Sequence, residues 1–216
     1  MRQVRALPAA LLVLSGSGCS SIFFHSAPQP EQTYFLRAPR APAEQPAEAV
    51  HASLRVMHPA AAPGLDSPRI VLLQPQHRMG FFAASHWPAA LPDMAEALTV
   101  ETLRSSRAWA SVEDSTSPFP ADYLLQITIR RFEADYDTGG PESADFPRVH
   151  VVLECSVGRG DGRDALASYV AEGSATPTAN RLADVVAAFQ SASSAALKTL
   201  AERVLEAVRA DAHHAS

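Results

Sequence analysis

The chain has 216 residues, of which 47% are hydrophobic and 19% are charged, and its formal net charge is −5. This length fits one ordinary globular domain with a tail or linker, and the composition excludes a polytopic membrane protein. The negative charge and the absence of any run of basic residues argue against nucleic acid as a partner.

The start of the chain has the layout of a secretory signal peptide. Arg2 and Arg5 are followed by an apolar run over 6–14 and then by small residues that end at Cys19. The run of about nine residues is too short for a membrane-spanning helix, which needs about 20. This segment is therefore expected to direct the chain to the envelope rather than to anchor it.

Cys19 is the predicted site of lipid attachment. It follows Gly18 as the cysteine of a bacterial lipobox does, although the residue three before it is Gly16 rather than the usual Leu. We expect residues 1–18 to be removed and Cys19 to carry acyl chains such as palmitate, each buried methylene adding about 0.8 kcal/mol to membrane binding. An ordinary signal peptide beside a chance cysteine is the alternative. Because Ser20 follows instead of Asp, the expected location is the periplasmic side of the outer membrane.

Prolines are dense between Ser26 and Gly64, a composition typical of a tether or loop. We assign 19–32 to the lipidated N-terminus and tether, 33–208 to the folded domain, and 209–216 to a disordered tail. Two short β-prone segments interrupt the proline-rich region, at 33–36 and 53–57.

Alternating apolar side chains predict a series of strands in the folded domain. Three neighbouring strands are expected to be antiparallel, because an Asp161-Gly162 turn joins the last two of them. The predicted strands are 69–73, 79–82, 109–112, 123–132, 149–157 and 165–171.

Two segments have apolar residues at helical spacing. The shorter one follows Trp87, with Pro88 in its first turn, and ends near Ser105. The longer one carries an apolar stripe from Leu182 to Val208. The predicted fold class is therefore α+β, a mostly antiparallel sheet with a shorter helix and a long C-terminal amphipathic helix packed on one face.

No catalytic, cofactor-binding or metal-binding residue is predicted, so the protein is not expected to be an enzyme. The eight histidines lack the helical spacing of a zinc site, and the mature chain has no Gly-x-Ser-x-Gly sequence. Glu133, Asp135 and Asp137 share one side of a strand, which is more typical of a solvated edge than of a glycosidase pair. His150 is expected to be exposed or at an interface, and Cys155 to be a buried core thiol.

Trp87 and Trp109 flank the shorter predicted helix. A position in the core is the simplest interpretation of both residues, and a contact with a partner or an acyl chain is the alternative. We name Trp87 as the candidate partner contact.

Several segments taken together resemble the ABC-type transport auxiliary lipoprotein family, the group that includes the PqiC-like proteins. They occur in the family's order and cover residues 30–208. The segments are the Cys19 lipobox, Tyr34-Phe35-Leu36, 65–71, 87–92, 121–125, 131–133 and the closing helix.

The resemblance implies a non-catalytic accessory subunit of a mammalian-cell-entry-type ABC transporter, which moves lipids or other hydrophobic molecules between membranes. It also implies a ring-forming mammalian-cell-entry protein as partner and a homo-oligomeric ring of the lipoprotein as a further option. Two alternatives stay open: a periplasmic carrier that binds acyl chains itself, and a periplasmic hydrolase, for which the sequence offers no nucleophile and base.

Overall fold

The computed structural model describes residues 30–40, 49–137, 141, 145–162 and 164–214. Within this part of the chain, nine strands form one sheet and two helices pack against it. The strands are β1 (Gln32–Thr33), β2 (Val50–Val56), β3 (Ala60–Ala61), β4 (Arg69–Gln74), β5 (Arg78–His86), β6 (Trp109–Glu113), β7 (Tyr123–Asp135), β8 (Arg148–Arg159) and β9 (Ala165–Ala175). The helices are α1 (Leu91–Ser105) and α2 (Leu182–His214), and a short 3₁₀ turn covers Pro75–His77.

Strand β7 is the central strand of the sheet. Along one edge it pairs with the antiparallel β8, and β9 continues this meander. Along its other edge, β7 pairs with three parallel strands in succession. These are β2 at Tyr123, β3 at Thr128 and β4 at Ala134. Strand β6 pairs with β2, β5 with β4, and β1 with β5. Most paired residues belong to the antiparallel pairings, which confirms the predicted mostly antiparallel sheet.

Both helices cover the same face of the sheet. Helix α2 lies along β9 and β8, and its buried stripe includes Val185, Phe189 and Leu200. The stripe packs against the inward row of β8, which is Val149, Val151, Leu153, Cys155 and Val157. Burying one face of a sheet under amphipathic helices is the arrangement predicted for an α+β domain, and the structure confirms it.

Helix α2 approaches β9 closely at Gly173. A Cβ atom on Gly173 would lie 2.1 Å from the carbonyl oxygen of Ala192 and 3.0 Å from the Cβ of Ala195. The first distance is far below any van der Waals contact. The absence of a side chain at this position therefore sets how near the helix lies to the strand.

Helix α1 begins later than the sequence predicts. The prediction placed Pro88 in its first turn, whereas the helix begins at Leu91 and Pro92 occupies its first turn. The Trp87 N–H donates a hydrogen bond to the carbonyl oxygen of Pro68 at 2.7 Å. This long-range bond fixes Trp87 to the segment before β4, and Pro88 and Ala89 form a bend before the helix begins.

Helix α2 ends later than the sequence predicts. The expected disordered tail from 209 onward is wrong up to His214, because α2 continues to that residue. Asp211 accepts hydrogen bonds from Arg159 and from the Tyr123 hydroxyl, each at 2.9 Å, and these bonds fix the last turns to β7 and β8. In the described residues no helix combines the length and the apolar character that a membrane crossing requires.

Candidate interaction surface

We call the sheet face opposite α1 and α2 the open face. Both helices contact the other face, so the side chains that alternate with the core residues of β7, β8 and β9 point away from them. The open face carries Leu124, Gln126, Thr128, Arg130, Arg131, Glu133, Asp135, His150, Val152, Glu154, Ser156, Leu166, Ser168, Val170, Glu172 and Ser174. This mixture of ionic and apolar side chains makes the open face a candidate interaction surface.

A β-bulge in β7 places two consecutive arginines on the open face. The register between β7 and β8 shifts between Ile129 and Arg131, so that Arg130 and Arg131 both leave the core side. Arg130 forms an ion pair with Glu154 of β8, and Arg131 forms one with Glu133. In a regular strand one of the two guanidinium groups would point into the core.

Glu133 is a buried carboxylate on the open face. Its side chain is 5% exposed and accepts hydrogen bonds from the Arg131 guanidinium and, at 2.7 Å, from the Phe132 N–H. Arg131 also donates to Asp135 at 3.0 Å, so one guanidinium bridges two carboxylates. Burial raises the pKa of Glu133 above its ordinary value, and Arg131 offsets that shift only in part.

His150 of β8 lies opposite Glu133 in the strand ladder. It is half-buried, and burial lowers the pKa of its imidazole, an effect to which Arg131 adds. The imidazole is therefore neutral near pH 7. Over the described ranges, no three side chains of the metal-ligating types come together as a possible metal site.

A groove of about 700 Å³ lies between α1 and the segment that follows β6. Burial acts to raise the pKa of Glu96 in its wall, but hydrogen bonds from the Ser115 N–H at 2.7 Å and from His58 outweigh burial and lower it. The other charged residues of the wall are Asp93, Glu101, Arg104 and Asp114. The internal partners of Glu96 show that this carboxylate fixes the loop after β6 to α1.

Trp87, the predicted partner contact, lies in the core. Its side chain is 1% exposed, and its ring centroid is 5.4 Å from that of Phe189 on α2 and 6.0 Å from that of Phe132 on β7. The prediction is therefore wrong, because an indole enclosed between helix and sheet cannot touch a partner. Trp109 is half-buried at the start of β6.

The open face exposes apolar side chains that the sequence analysis did not single out. Val170 is 55% exposed and Leu166 is 38% exposed, both on β9. Alternation along β9 could have predicted this exposure. Val170 follows Tyr169, which packs against the core, and neighbouring strand residues point to opposite faces.

The two cysteines fall in different parts of the chain. Cys155 is buried on β8, and burial together with the neighbouring Glu154 raises the pKa of its thiol to about 12, as expected for an unreactive core thiol. Cys19, the predicted signal peptide and the tether up to residue 29 lie outside the described residues. Acylation of Cys19 stays a prediction.

Asp211 is the polar residue with structural importance that the sequence analysis missed. Both of its carboxylate oxygens accept hydrogen bonds from Arg159, each at 2.9 Å, and this pairing lowers the pKa of Asp211. Arg159 is the last residue of β8, directly before the turn that contains Asp161-Gly162, so the contact joins this end of β8 to α2. Asp211 follows Val208 of the buried stripe by three residues, which is a helical spacing. This spacing could have predicted that the helix continues to Asp211.

The sequence from residue 34 to residue 202 matches the family model described as the ABC-type transport auxiliary lipoprotein component. The chain belongs to this family. The match confirms the resemblance noted in the sequence. No curated protein matches this chain.

Solved structures share the fold of this auxiliary lipoprotein. The crystal structure of protein XCC0632 from Xanthomonas campestris is 25% identical with a TM-score of 0.72, over 84% of this chain and 97% of that chain. The crystal structure of an uncharacterized protein is 14% identical with a TM-score of 0.62, over 82% of this chain and 99% of that chain. A PelC dodecamer from Paraburkholderia phytofirmans is a more distant match, 17% identical with a TM-score of 0.40, over 71% of this chain and 91% of that chain.

Proposed function

We propose that this auxiliary lipoprotein is a non-catalytic subunit of a mammalian-cell-entry-type ABC transporter, attached through acylated Cys19 to the periplasmic side of the outer membrane. The transporter moves lipids or other hydrophobic molecules between membranes. The lipoprotein binds the ring-forming mammalian-cell-entry protein and holds that conduit at the outer membrane, and a homo-oligomeric ring is compatible with this role. The observation that carries the proposal is the family match over 34–202.

The chemistry of the open face supports a binding role. Its ion pairs, Arg130 with Glu154 and Arg131 with Glu133, lie on β7 and β8, and the exposed Val170 lies beside Glu154 on the neighbouring β9. Protein interfaces combine apolar contacts with a polar surrounding in this way.

A carrier that encloses acyl chains itself is the first alternative. The apolar cavity between the helices and the sheet, lined by Leu98, Phe132 and Leu197 among others, has a volume of about 20 Å³. Such a space is close to the size of one water molecule, whereas pockets for drug-sized ligands have volumes of roughly 300 Å³ or more. This cavity therefore favours the accessory role over the carrier role.

A hydrolase is the second alternative, and it needs a nucleophile activated by a neighbouring base. The raised pKa of the Cys155 thiol disfavours the reactive thiolate. Arg131 bridges Glu133 and Asp135, so these carboxylates belong to an ion-pair network. Both observations favour a binding role over hydrolysis.

Replacement of Cys19 tests the anchor. In a bacterium that processes lipoproteins, the wild-type chain should incorporate labelled palmitate and sediment with outer membranes. Cys19→Ala should incorporate no label and should release a folded domain into the soluble fraction, because the acyl chains supply the membrane affinity. Cys155→Ala is the matched control and should stay acylated and membrane-bound, because Cys155 is buried in the core.

Two results would contradict this proposal. Unchanged membrane sedimentation of Cys19→Ala would show that an acyl chain on Cys19 does not anchor the protein. Failure of the acylated wild-type chain to co-purify with the mammalian-cell-entry protein from crosslinked envelopes would contradict the proposed partner. Genes for an ATPase, a permease and a mammalian-cell-entry protein beside this gene would support the same assignment.

A further inference from the structure

Strand β9 has one free edge. It pairs with β8 through residues from Ala165 to Ala175, and in the described part of the chain no strand pairs with its other edge. The backbone N–H and C=O groups along that edge are therefore available to another strand. An unprotected edge of eleven residues is long for a strand that stays unpaired.

The other outer strands of the sheet are protected. On β6, the Nε of Arg104 donates a hydrogen bond to the carbonyl oxygen of Val112 at 2.8 Å and occupies one of the edge acceptors. On β5, β1 pairs with Ser85 and His86, and Ala84 has a positive φ of 49° that interrupts the regular strand. Strand β9 contains no proline, lysine or arginine, and its one charged residue is Glu172. The common protective devices are thus present on two outer strands and missing from β9.

We propose that β9 pairs with β9 of a second copy of this chain, antiparallel, around a two-fold axis that passes through Val170. In this register Val170 meets Val170 of the second copy, and Ser168 meets its Glu172. Leu166 then meets Ser174 of the second copy. The sheet becomes continuous across the two copies, and both α2 helices lie on the same side of it.

Side-chain chemistry selects this register among the neighbouring ones. An axis through Glu172 would place two carboxylates opposite each other, and an axis through Ser168 would place Glu172 opposite Asp164. Like charges directly opposite destabilise a strand pair. An axis through Tyr169 or Ala171 would place Glu172 opposite an apolar side chain, which forms no polar contact. Among these axes only the one at Val170 puts an exposed apolar side chain against its equal and Glu172 against a hydroxyl. An axis at Leu166 would pair only residues 165–167 of the two strands, because β9 begins at Ala165.

A register in which the two-fold axis passes between two residues is excluded by the alternation of side chains along the strand. Directly opposite residues of an antiparallel pair point to the same face. An axis between two residues would set a core-facing residue of one copy against an open-face residue of the other. The helices of the two copies would then lie on opposite sides, and the exposed apolar row would be split between both faces.

Disulfide trapping tests the axis. In the full chain carrying Cys19→Ala, Val170→Cys should form a disulfide-linked dimer under mild oxidation, because directly opposite Cα atoms lie about 4.5–5.5 Å apart, within the range for a disulfide. Leu166→Cys is the matched control on the same face of the same strand. Its two copies would be about 27 Å apart at about 3.4 Å per residue, so it should stay monomeric. The remaining Cys155 is buried.

Substitutions that add a charge at Ser168 give a second test, in which a negative and a positive side chain should have opposite effects on dimerisation. Ser168→Glu would face Glu172 of the second copy and should weaken dimerisation by about threefold or more, whereas Ser168→Arg should strengthen it by a similar factor. Both variants lose the same hydrogen bond to Ser156, so a folding defect cannot produce opposite effects. Sedimentation equilibrium measures the dissociation constant.

Three outcomes would overturn the inference. The first is a wild-type chain that stays monomeric at every concentration tested. The second is equal crosslinking of Val170→Cys and Leu166→Cys, which would mean random collision. The third is a shift of the dissociation constant in the same direction for both Ser168 variants. The inference concerns self-association and stands independently of the proposed transport role.

Discussion

Glu133 owes its raised pKa to a conflict between burial and pairing. Its carboxylate is removed from water, which disfavours the charged form, while Arg131 and the Phe132 N–H stabilise that form. Burial is the larger effect, so the folded protein binds the proton of Glu133 more tightly than the unfolded chain does. The group therefore links the stability of the open face to pH.

Glu133→Gln should change that link in a defined direction. Because the folded pKa lies above the ordinary value of 4.5, the charged group lowers the free energy of unfolding as pH rises from that value through the folded pKa. The variant does not ionise, so its stability relative to wild type should be higher near neutral pH than at about pH 4.5. Urea unfolding at the two pH values measures the difference.

Glu154→Gln is the control for this measurement. Glu154 also pairs with an arginine on the open face, but its side chain is 47% exposed and keeps its contact with water. A stability difference from wild type that is the same at both pH values for Glu133→Gln would contradict the prediction.

Single residues also show where sequence patterns stop being informative. The β8 alternation identified Cys155 as a core residue, because burial of one strand face is a local property of the sequence. Trp87 carried no such pattern, and its burial depends on Phe132 and Phe189, which are distant in the chain. A contact of that kind cannot be derived from neighbouring residues.

At the level of elements, the contact between α2 and β9 depends on the missing side chain of Gly173. The Ala192 carbonyl oxygen fills the space that a Cβ atom would need. Because the carbonyl oxygen belongs to the backbone and the backbone fixes the position of a Cβ atom, neither can move aside by a rotamer change.

Gly173→Ala should therefore destabilise the protein. The helix must move away from the strand, and overpacking of this kind costs about 1–3 kcal/mol in the free energy of unfolding. Gly162→Ala is the matched control in the hairpin turn, where the nearest atom is the Arg159 Cβ at 3.3 Å and a small adjustment suffices. Chemical denaturation of both variants tests the prediction, and an equal effect of the two substitutions would contradict it.

The elements of the second half of the chain were predictable, and their partners only in part. Alternation identified β7, β8 and β9, and the Asp161-Gly162 turn identified the antiparallel order of β8 and β9, since a short turn leaves adjacent strands no other arrangement. The parallel pairing of β2, β3 and β4 with β7 was not predictable. Parallel partners are joined by long connections, and alternation shows that a segment is a strand without showing which strand lies beside it.

At the level of the whole molecule, the small cavity beneath the helices predicts how the protein behaves toward lipid. The purified Cys19→Ala chain should carry no co-purified phospholipid in native mass spectrometry, because a space of about 20 Å³ is far too small for an acyl chain and the larger groove beside α1 has charged side chains in its wall. The proposed ring-forming partner, purified in the same way, is the comparison in which lipid should be found. Stoichiometric lipid on the monomer would contradict this prediction and favour the carrier alternative.

The proposed strand pairing also constrains larger assemblies. A two-fold contact uses the same surface on both copies and closes with two members. A ring of lipoproteins would therefore need a second, different interface. The ion pair of Arg130 with Glu154 is exposed on the open face, and the strand pairing leaves that surface available to the proposed transporter partner.

The bonding of Asp211 has a practical consequence for experiments on this protein. A chain shortened after residue 208 would leave Arg159 and the Tyr123 hydroxyl without their acceptor and would loosen one end of the sheet. Affinity tags and fluorescent reporters are safer when joined through a flexible spacer after the final residue. Laboratories that trim termini to obtain crystals should leave the last helical turns intact.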